Sequence, residues 1–433
     1  MTATASVASV GARRVRRYHL TLLGIALLIV LLSLVRVLTG DNDLTSSGTF
    51  AAALGYAVPI GLAGLGGLWA ERAGVVNIGL EGMMVLGTWC AGYAGYLYGP
   101  VAALAAGLLG GAIGGLIHAV ATVTFGVDHI VSGVAINVLG PGVTRFLSEV
   151  LYRDDSAAAE LGGGTTTSPT MRGQTPDFSL PLLSDGPDWL KSLEDTHWFV
   201  LSDIAGVLGG LTRDVGVLII LAVALVPISY VVLWHTPFGL RLRACGENPH
   251  AADSLGVRVY RTKYIAVIIS GALAGLGGTF LVFVTTKYVE GQTNGRGFIG
   301  LAAMIFGNWR PGMLAGGASL FGYADGLQLR SSQSVTGLFL FGALLLLCYA
   351  GLRIRRDLTG VVPSGGLRSY TVVAVSALGA VIFFWLWLTV ETLPNEFVFI
   401  TPHVLTLLVL SVAAQRLRMP KADGLRYRRG EER

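Results

Sequence analysis

Residues 63–89 (AGLGGLWAERAGVVNIGLEGMMVLGTW) carry polar side chains capable of hydrogen bonding inside a stretch that is otherwise apolar. Asn77 and Glu81 are four residues apart, so on a helix they would share one face. Their amide and carboxylate groups could hydrogen-bond the hydroxyls of a sugar-like solute. Glycines at positions 74, 79, 82 and 87 interrupt the stretch. Because ionisable groups and non-helical backbone persist at membrane depth only where protein or a water-filled cavity shields them, we expect this segment to line a solute pathway.

Glu81 also has a structural alternative. Its carboxylate could accept hydrogen bonds from free N–H groups of the broken backbone, or pair with a basic residue. Asn137, Asn294 and Trp89 are weaker pathway candidates. The ring of Trp89 could stack on a base, although tryptophan is also enriched at the membrane interface. These alternatives stay open at the level of sequence.

Sequence patterns typical of enzymes are absent. The chain has no G-x-x-x-x-G-K-[ST] loop, no H-E-x-x-H and no C-x-x-C. We therefore predict no catalytic residue, no metal site and no cofactor bound by this chain. His118 stands alone on an apolar span and is expected to be a packed helix residue. Cys90, Cys245 and Cys348 predict no disulfide framework, because two lie in apolar spans and one in a loop placed inside the cell.

The composition places these side chains in an all-α membrane protein. Of 433 residues, 53% are hydrophobic and 13% are charged, against about 25% charged in soluble domains. We predict a polytopic helical bundle of about 10 to 12 spans, some of them interrupted. The predicted spans are residues 20–38, 50–70, 75–98, 101–127, 130–151, 215–234, 264–286, the short pieces 298–307 and 313–324, 335–352, 370–390 and 397–414.

The distribution of basic residues predicts how the chain is threaded, because cytoplasmic loops carry an excess of Lys and Arg. With the N-terminus inside, the basic segments fall in the cytoplasm and the acidic segment falls outside. The net charge of +5 then reflects topology, and no nucleic-acid partner is expected. The predicted regions are a cytoplasmic N-terminus at 1–19, a first transmembrane half at 20–151, an extracytoplasmic acidic loop at 152–213, a second transmembrane half at 214–352 with a cytoplasmic loop at 235–263, a basic loop and final hairpin at 353–415, and a cytoplasmic basic tail at 416–433.

Two parts of the sequence resemble each other. AGLGG occurs at 63–67 and 274–278, and each copy is followed by an IGL piece, IGLEGMMVLGTW and IGLAAMIFGNW. In the predicted threading the two copies run in opposite directions, which indicates an inverted-topology repeat of the kind that transporters place around a substrate site. Chance matching of Gly/Ala/Leu-rich helices is the alternative. Pairs of glycines four apart are expected to allow close helix packing: Gly110/Gly114, Gly111/Gly115, Gly271/Gly275 and Gly312/Gly316.

The loop at 235–263 contains the pattern His250-Ala251-Ala252-x-x-x-Gly256. Small alanine side chains let a helix lie close to a partner surface. Pro249 suits a first helical turn and Gly256 a helix end. An ordinary basic loop with a capped helix accounts for these residues equally well.

Four motifs together resemble the permease subunits of nucleoside and simple-sugar ABC importers: ERAGVVNIGLEGMM, DHIVSGVAINVL, TPFGLRLRACGENPHAADSLGV and GFIGLAAMIFGNWRP. The resemblance covers residues 50–350 and the last span. Permeases of ABC importers carry a cytoplasmic E-A-A-x-x-x-G loop that docks into a groove of the ATPase; here His250 stands at the Glu position. The resemblance thus implies an ATPase coupling loop made by Glu247, Asn248, Pro249, His250, Ala251, Ala252, Asp253 and Gly256.

The resemblance also implies a set of partners in the plasma membrane. These are ATP-binding cassette subunits that use ATP, a second permease more often a paralogue than an identical copy, and an extracytoplasmic solute-binding protein. The implied solute is a nucleoside or a related sugar-like molecule. Asp128 and His129 could contact the ATPase or cap a helix, and Glu71 and Arg72 are expected to form a local ion pair. The long 152–213 segment departs from the family pattern and could alter docking of the binding protein.

Two other functions remain open. A stand-alone secondary transporter would use the repeat, with Glu81 as a proton site. A membrane scaffold would explain the spans but would leave the polar, broken segments without a purpose.

Overall fold

The computed structural model describes residues 23–24, 26–152, 164, 166–173, 177–178, 188–212, 215–330, 334–358, 367–390, 400, 404, 406–407 and 417–430. Its helices are α1 (Ala26–Thr39), α2 (Ser47–Arg72), α3 (Leu80–Tyr98), α4 (Pro100–Ala119), α5 (His129–Tyr152), α6 (Trp189–Glu194), α7 (Leu201–Thr212), α8 (Val217–His235), α9 (Pro237–Glu247), α10 (Pro249–Ser254), α11 (Val259–Thr285), α12 (Arg296–Phe306), α13 (Pro311–Arg330), α14 (Ser334–Leu358) and α15 (Leu367–Thr389). A 3-10 helix spans Asn42–Thr45, a π-helical turn Val120–Thr124, and strands β1 (Asp177–Phe178) and β2 (Val215–Gly216) pair antiparallel.

Helices long and apolar enough to cross a membrane dominate the described residues, which confirms the predicted all-α, polytopic class. There are seven of them: Ser47–Arg72, Pro100–Thr124, His129–Tyr152, Val217–His235, Val259–Thr285, Thr336–Arg355 and Tyr370–Thr389. The predicted span at 20–38 is described only in part. The predicted last span at 397–414 lies outside the described residues apart from four isolated positions.

Element boundaries differ from prediction in several places, among them α13, which was expected as a short piece over 313–324 and has 20 residues. The helix expected over 75–98 begins only at Leu80, because the chain leaves α2 at Arg72 and crosses a non-helical segment first. The cytoplasmic loop 235–263 is largely helical and contains α9 and α10. Each of these helices starts at a side-chain cap: Thr236 Oγ1 accepts from Gly239 N–H at 3.1 Å, and Asn248 Oδ1 accepts from Ala251 N–H at 3.0 Å.

The chain divides into two compact units, of which one is Ala53–Phe178 with Asp214–Tyr323 and Thr406–Arg433. Inside this unit α3, α4 and α11 pack backbone to backbone. A Cβ on Gly111 would clash with the carbonyl of Gly271, and one on Gly87 would clash with Gly275. The predicted packing role is thus confirmed on α4 and α11. It is not borne out for Gly312/Gly316, because among the described residues no atom lies within 4 Å of a Cβ built at either position.

Both copies of the AGLGG repeat have the same local structure. The first lies in α2, which is followed by a break at 73–79 and then by α3; the second lies in α11, which is followed by a loop at 286–295 and then by α12. The helices that contain the copies also touch, since a Cβ on Gly66 of α2 would collide with the carbonyl of Ser270 on α11. The similarity therefore extends to the order of long helix, break and helix. The opposed direction of the two copies stays a prediction.

The other unit, Met1–Ala52 with Ser179–Arg213 and Ala324–Leu405, contains a buried ion pair. Arg36 on α1 lies 2.7 Å from Asp203 on α7, and both side chains are almost fully buried. Thr45 Oγ1 donates to the same carboxylate at 2.5 Å, and Val200 N–H donates at 3.0 Å. These bonds satisfy the charge that burial leaves without water, so the described end of the 152–213 segment is fixed to α1.

Candidate functional site

The break at 73–79 interrupts the helical path between α2 and α3. Gly74 has a φ of 80°, a conformation that L side chains adopt only with strain. A Cβ there would also lie 3.1 Å from the Cα of Gly246 and 3.2 Å from the carbonyl oxygen of Ala422. Glycine at this position thus both turns the chain out of α2 and admits two neighbouring segments close to its backbone. The broken, buried segment expected from the glycines is confirmed.

Side chains from neighbouring helices satisfy the backbone of the break. The N–H of Val76 donates to Nδ1 of His129 at 3.2 Å, and the carbonyl of Val76 accepts from Nε2 of His118 at 3.0 Å. Lys263 on α11 donates to the carbonyl of Gly74 at 3.3 Å. Because a buried backbone group without a partner costs about 1–3 kcal/mol, these residues make a non-helical segment tolerable at this depth.

Asn77 and Asn137 belong to the same bonding network. Asn77 is fully buried; its Nδ2 donates to Ser270 Oγ at 2.8 Å and its Oδ1 accepts from Gly79 N–H at 3.1 Å. Asn137 on α5 donates to the carbonyl of Ile78 at 2.9 Å and accepts from Gly82 N–H at 2.8 Å. Both predicted pathway residues therefore bond to protein groups around the break.

Glu81 connects the two repeats. Its Oε1 accepts from Gly295 N–H at 2.9 Å and its Oε2 accepts from Gly297 N–H at 2.7 Å. Gly295 is the N-cap residue of α12, and it has no side chain to cap that helix. The carboxylate of α3 thus caps α12, where a negative charge also complements the helix dipole. The expectation that Asn77 and Glu81 share one helical face is wrong, since Asn77 precedes the helix.

Trp89 and Asn294 lie away from this network. The indole Nε1 of Trp89 donates to Ser148 Oγ at 2.8 Å, and its ring stacks on Tyr93 with centroids 5.4 Å apart. Asn294 is exposed in the 286–295 loop with a φ of 44°. A role of either residue in contacting solute stays a prediction.

A second polar cluster closes the end of α2. Glu71 is buried and accepts from the indole Nε1 of Trp309 at 2.5 Å, while Arg72 donates to the Trp309 carbonyl at 2.7 Å. The guanidinium of Arg72 also lies 5.2 Å from the ring of Trp234. The expected ion pair of Glu71 with Arg72 is wrong, because the two side chains instead bind different atoms of Trp309, from the NWRPG turn between α12 and α13.

Asp128 caps α5, which was the structural alternative for this residue. Its Oδ1 accepts from Ile130 N–H at 2.8 Å and Val131 N–H at 3.1 Å. The cap presents the next residue, His129, to the backbone of Val76. Both residues therefore have a structural role at the break.

The short helix α10 carries most residues of the predicted coupling loop. Pro249 occupies its first turn and Gly256 follows it with a φ of 80°, so both local predictions are confirmed. Ala252 faces inward at 3% exposure, and Ala251 faces outward. The next residue after the helix, Leu255, is 85% exposed. Glu247 and Asn248, at the junction of α9 and α10, are also exposed.

Sequence reasoning missed the C-terminal tail, which it treated only as a basic cytoplasmic segment. Residues 417–430 pack on α10 and on the break. Tyr427 places its ring 5.0 Å from His250, and Arg429 lies 3.4 Å from Asp253. Asp423 is buried beside Glu71. The signal was the PKADGLRYR stretch, in which a turn-forming Asp-Gly pair and a tyrosine interrupt the basic residues.

The charge state of Asp423 follows from its surroundings. Burial first, and then the neighbouring Glu71 carboxylate, raises the pKa of Asp423 to about 9. Asp423 therefore holds its proton near neutral pH, which removes the repulsion that two adjacent carboxylates would have. The Asp423 side chain is thus neutral where the tail packs beside Glu71.

Comparison with known proteins gives a consistent result. Residues 49–349 match the family described as branched-chain amino acid transport system / permease component. The guanosine ABC transporter permease protein NupQ of Bacillus subtilis is 32% identical over 88% of this chain and 96% of its own length. The nucleoside ABC transporter permease protein NupC of Lactococcus lactis is 30% identical over 86% and 94%. A putative glucose ABC transporter permease, TsgC13 of Haloferax volcanii, is 32% identical over 66% and 79%.

Each of the first two organisms also has a more distant match. The guanosine permease NupP is 26% identical over 62% of this chain and 70% of its own length, and the nucleoside permease NupB is 24% identical over 60% and 70%. No solved structure matches the chain.

Proposed function

We propose a nucleoside as the solute of this chain, which belongs to the family of branched-chain amino acid transport system permease components and is a permease subunit of an ABC importer. The two relatives that span nearly their whole length on this chain are named for guanosine and for nucleosides. A glucose permease matches over a smaller share. A nucleoside fits the names of the two relatives that cover most of this chain, and glucose is the alternative solute.

The proposed mechanism assigns different tasks to two parts of the chain. The break at 73–79, buttressed by Asn77 and Asn137 and joined to α12 through Glu81, is the element that rearranges as the pathway opens and closes. The coupling loop, residues 247–256 around α10, receives the ATPase. ATP binding would draw the ATPase subunits together, move α10, and switch the membrane helices so that they accept solute from outside.

The hydrogen bonds of Glu81 support this assignment over a secondary transporter. Both carboxylate oxygens accept backbone N–H groups at 2.9 and 2.7 Å, so the side chain is already engaged in capping α12. A proton-coupled site requires a carboxylate that gains and loses its proton during the cycle. The cap on α12 would then break at every turnover.

The proposed assembly contains further subunits. An ATP-binding cassette subunit would dock on α10 and hydrolyse ATP, since this chain carries no nucleotide-binding pattern. The presence of two related permeases in each of two organisms supports a paralogous second permease. An extracytoplasmic binding protein would deliver the solute. We place the assembly in the plasma membrane with both termini of this chain in the cytoplasm.

The exposed side chain of Ala251 on a capped α10 is the observation that carries the coupling proposal. Ala251→Trp would place a large ring on the docking face without disturbing the buried side of the helix, where Ala252 lies. We expect solute uptake to be abolished and binding of the ATPase subunit to be lost, at unchanged expression. Ala251→Ser is the matched control and should retain both. Wild-type uptake by Ala251→Trp would contradict this coupling site.

The solute is tested separately, with the complete importer in liposomes and a panel of guanosine, uridine, ribose, glucose and leucine. With ATP enclosed in the liposomes and the binding protein outside, ATP-dependent nucleoside uptake that other nucleosides compete with is the expected result. Uptake of leucine or glucose alone would overturn the nucleoside proposal and leave the permease assignment intact.

A further inference from the structure

The C-terminal tail, residues 417–430, has one anchor on the coupling helix. The ring of Tyr427 is 6% exposed and packs in an apolar cluster with Cys245 on α9, Ala252 on α10 and Val259 on α11. It also lies 5.4 Å from the ring of Tyr260. Ala252 is the inward-facing residue of α10, so the tail covers the side of that helix opposite to the exposed Ala251.

A second anchor of the tail lies at the break. The N–H of Ala422 donates to the carbonyl of Gly246 at 2.8 Å, and the carbonyl of Ala422 lies where a Cβ on Gly74 would touch it. Asp423, 7% exposed, stands beside Glu71 at the end of α2. Glycine at position 74 thus creates the space through which the tail reaches the break.

A third contact joins the tail to the other repeat. The N–H of Arg418 donates to Oδ1 of Asn308 at 2.7 Å. Asn308 precedes Trp309, whose indole holds Glu71. The tail, the end of α2 and the turn between α12 and α13 therefore share one set of hydrogen bonds.

We propose that residues 417–430 form a strap that transmits movement of α10 to the break at 73–79, with Tyr427 and Asp423 as positioning residues at its two ends. This inference rests on the proposed docking of an ATPase on α10. Tyr427 lies four positions after Asp423 in the chain, and four residue steps of extended chain span at most about 14 Å. So short a connection between two buried anchors cannot absorb a large displacement of either one.

The geometry explains why α10 needs such a connection. The helix has only six residues, from Pro249 to Ser254, and an isolated helix of this length is unstable in water. The inward face of α10 is covered by Tyr427 of the tail together with Val259 at the start of α11. A partner that pulls on the outward face of α10 therefore displaces the strap with it, and the strap ends at the segment that must rearrange.

The test measures solute uptake and ATP hydrolysis in the same liposomes that contain the complete importer. Tyr427→Ala removes the anchor of the strap on α10, and Asp423→Ala removes its anchor beside Glu71. We expect both variants to bind the ATPase subunit and hydrolyse ATP, while uptake per ATP hydrolysed falls about tenfold, equivalent to about 1.4 kcal/mol of lost coupling. Tyr427→Phe, which keeps the ring against His250, and Asp423→Asn, which keeps a neutral side chain of the same shape, should restore the ratio.

Leu425→Ala is the matched control, because its side chain lies between the two anchors in sequence and is 49% exposed. Unchanged uptake per ATP in Tyr427→Ala or in Asp423→Ala would overturn the strap. Loss of ATPase binding in Tyr427→Ala would also overturn it, since the tail would then only support α10. A wild-type chain that binds no ATPase subunit would instead contradict the proposed function, so the two failures are distinguishable.

Discussion

At the residue scale, Glu81 shows how the surroundings of a carboxylate decide its role. Glu81 is partly buried at the start of α3, where a charged side chain is costly unless it is paired or hydrogen-bonded. Its two oxygens accept two backbone N–H groups at the start of α12. The charge is thus offset by groups that α12 could not satisfy itself, because its cap residue is Gly295. The same side chain that suggests a solute site also links two repeats.

Replacing Glu81 tests this structural role. We expect Glu81→Ala to lower the free energy of unfolding by about 1–3 kcal/mol, because two buried donors lose a charged acceptor. The free energy of unfolding of Glu81→Gln should lie between those of Glu81→Ala and the wild type. The measurement is thermal unfolding in detergent, followed by uptake in liposomes. Glu149→Ala is the control, since the Glu149 carboxylate is exposed and forms a surface ion pair with Arg145 at 3.6 Å, which contributes little to stability. Full stability with lost uptake in Glu81→Ala would point to solute or proton binding instead.

The protonated Asp423 makes docking of the tail depend on pH. Its pKa of about 9 lies above the usual value of 3.8, so the docked state binds a proton that the released state gives up. The stabilisation is complete below pH 3.8, declines as the pH rises, and is lost as the pH passes about 9. The charged groups that face Asp423 are Glu71 and Arg72 from α2 and Lys263 from α11.

Hydrogen exchange of the Ala422 amide, which donates to Gly246, reports this equilibrium. Asp423→Asn stays neutral at every pH and serves as the reference. We expect the exchange rate of the wild type, divided by that of Asp423→Asn, to rise between pH 5 and pH 9, because only the wild type has a released state that ionises over this range. A ratio that stays constant across this range would show that the Asp423 proton does not control docking.

At the scale of elements, local signals and distant contacts differ in what they reveal. Gly74 and Gly79 predict a break, and Pro249 with Gly256 predicts a short capped helix, because φ values and caps depend on a few neighbouring residues. The groups that satisfy the break come from far along the chain, as His118 and Ser270 do. No local pattern predicts such pairing, so Asn77 was assigned to a helical face it does not occupy. For the same reason the sequence did not predict that the tail packs on α10 and on the break.

Helix packing offers a test with an internal control. Gly271 on α11 has no room for a side chain, because a Cβ would clash with the carbonyl of Gly111 on α4. We expect Gly271→Val to disrupt the packing of the two helices and to destabilise the protein by more than about 1–3 kcal/mol, the usual cost of overpacking. Gly316→Val, at a position with nothing within 4 Å, should change stability little. Thermal unfolding of the purified variants compares them. Equal stability of Gly271→Val and Gly316→Val would contradict the contact of α4 with α11.

At the scale of the whole molecule, packing and charge together predict the orientation in the membrane. The contact of Tyr427 with His250 requires the tail and α10 to lie on the same side of the bilayer. The tail and the 235–263 loop that contains α10 are rich in Lys and Arg, which predicts that this side faces the cytoplasm. The segment that contains Trp198, which is 61% exposed, should lie outside. The side of the membrane on which each of these segments lies can be tested in intact cells.

Single cysteines in a chain without Cys90, Cys245 and Cys348 provide that test. Leu255→Cys and Leu425→Cys, at positions 85% and 49% exposed, should react with a membrane-impermeant maleimide only after the membrane is opened. Trp198→Cys should react in intact cells. Labelling of positions 255 and 425 from opposite sides would contradict the packing of the tail on α10. Labelling of both from outside would invert the predicted threading while leaving that packing intact, and an ATPase in the cytoplasm could then no longer reach the coupling helix.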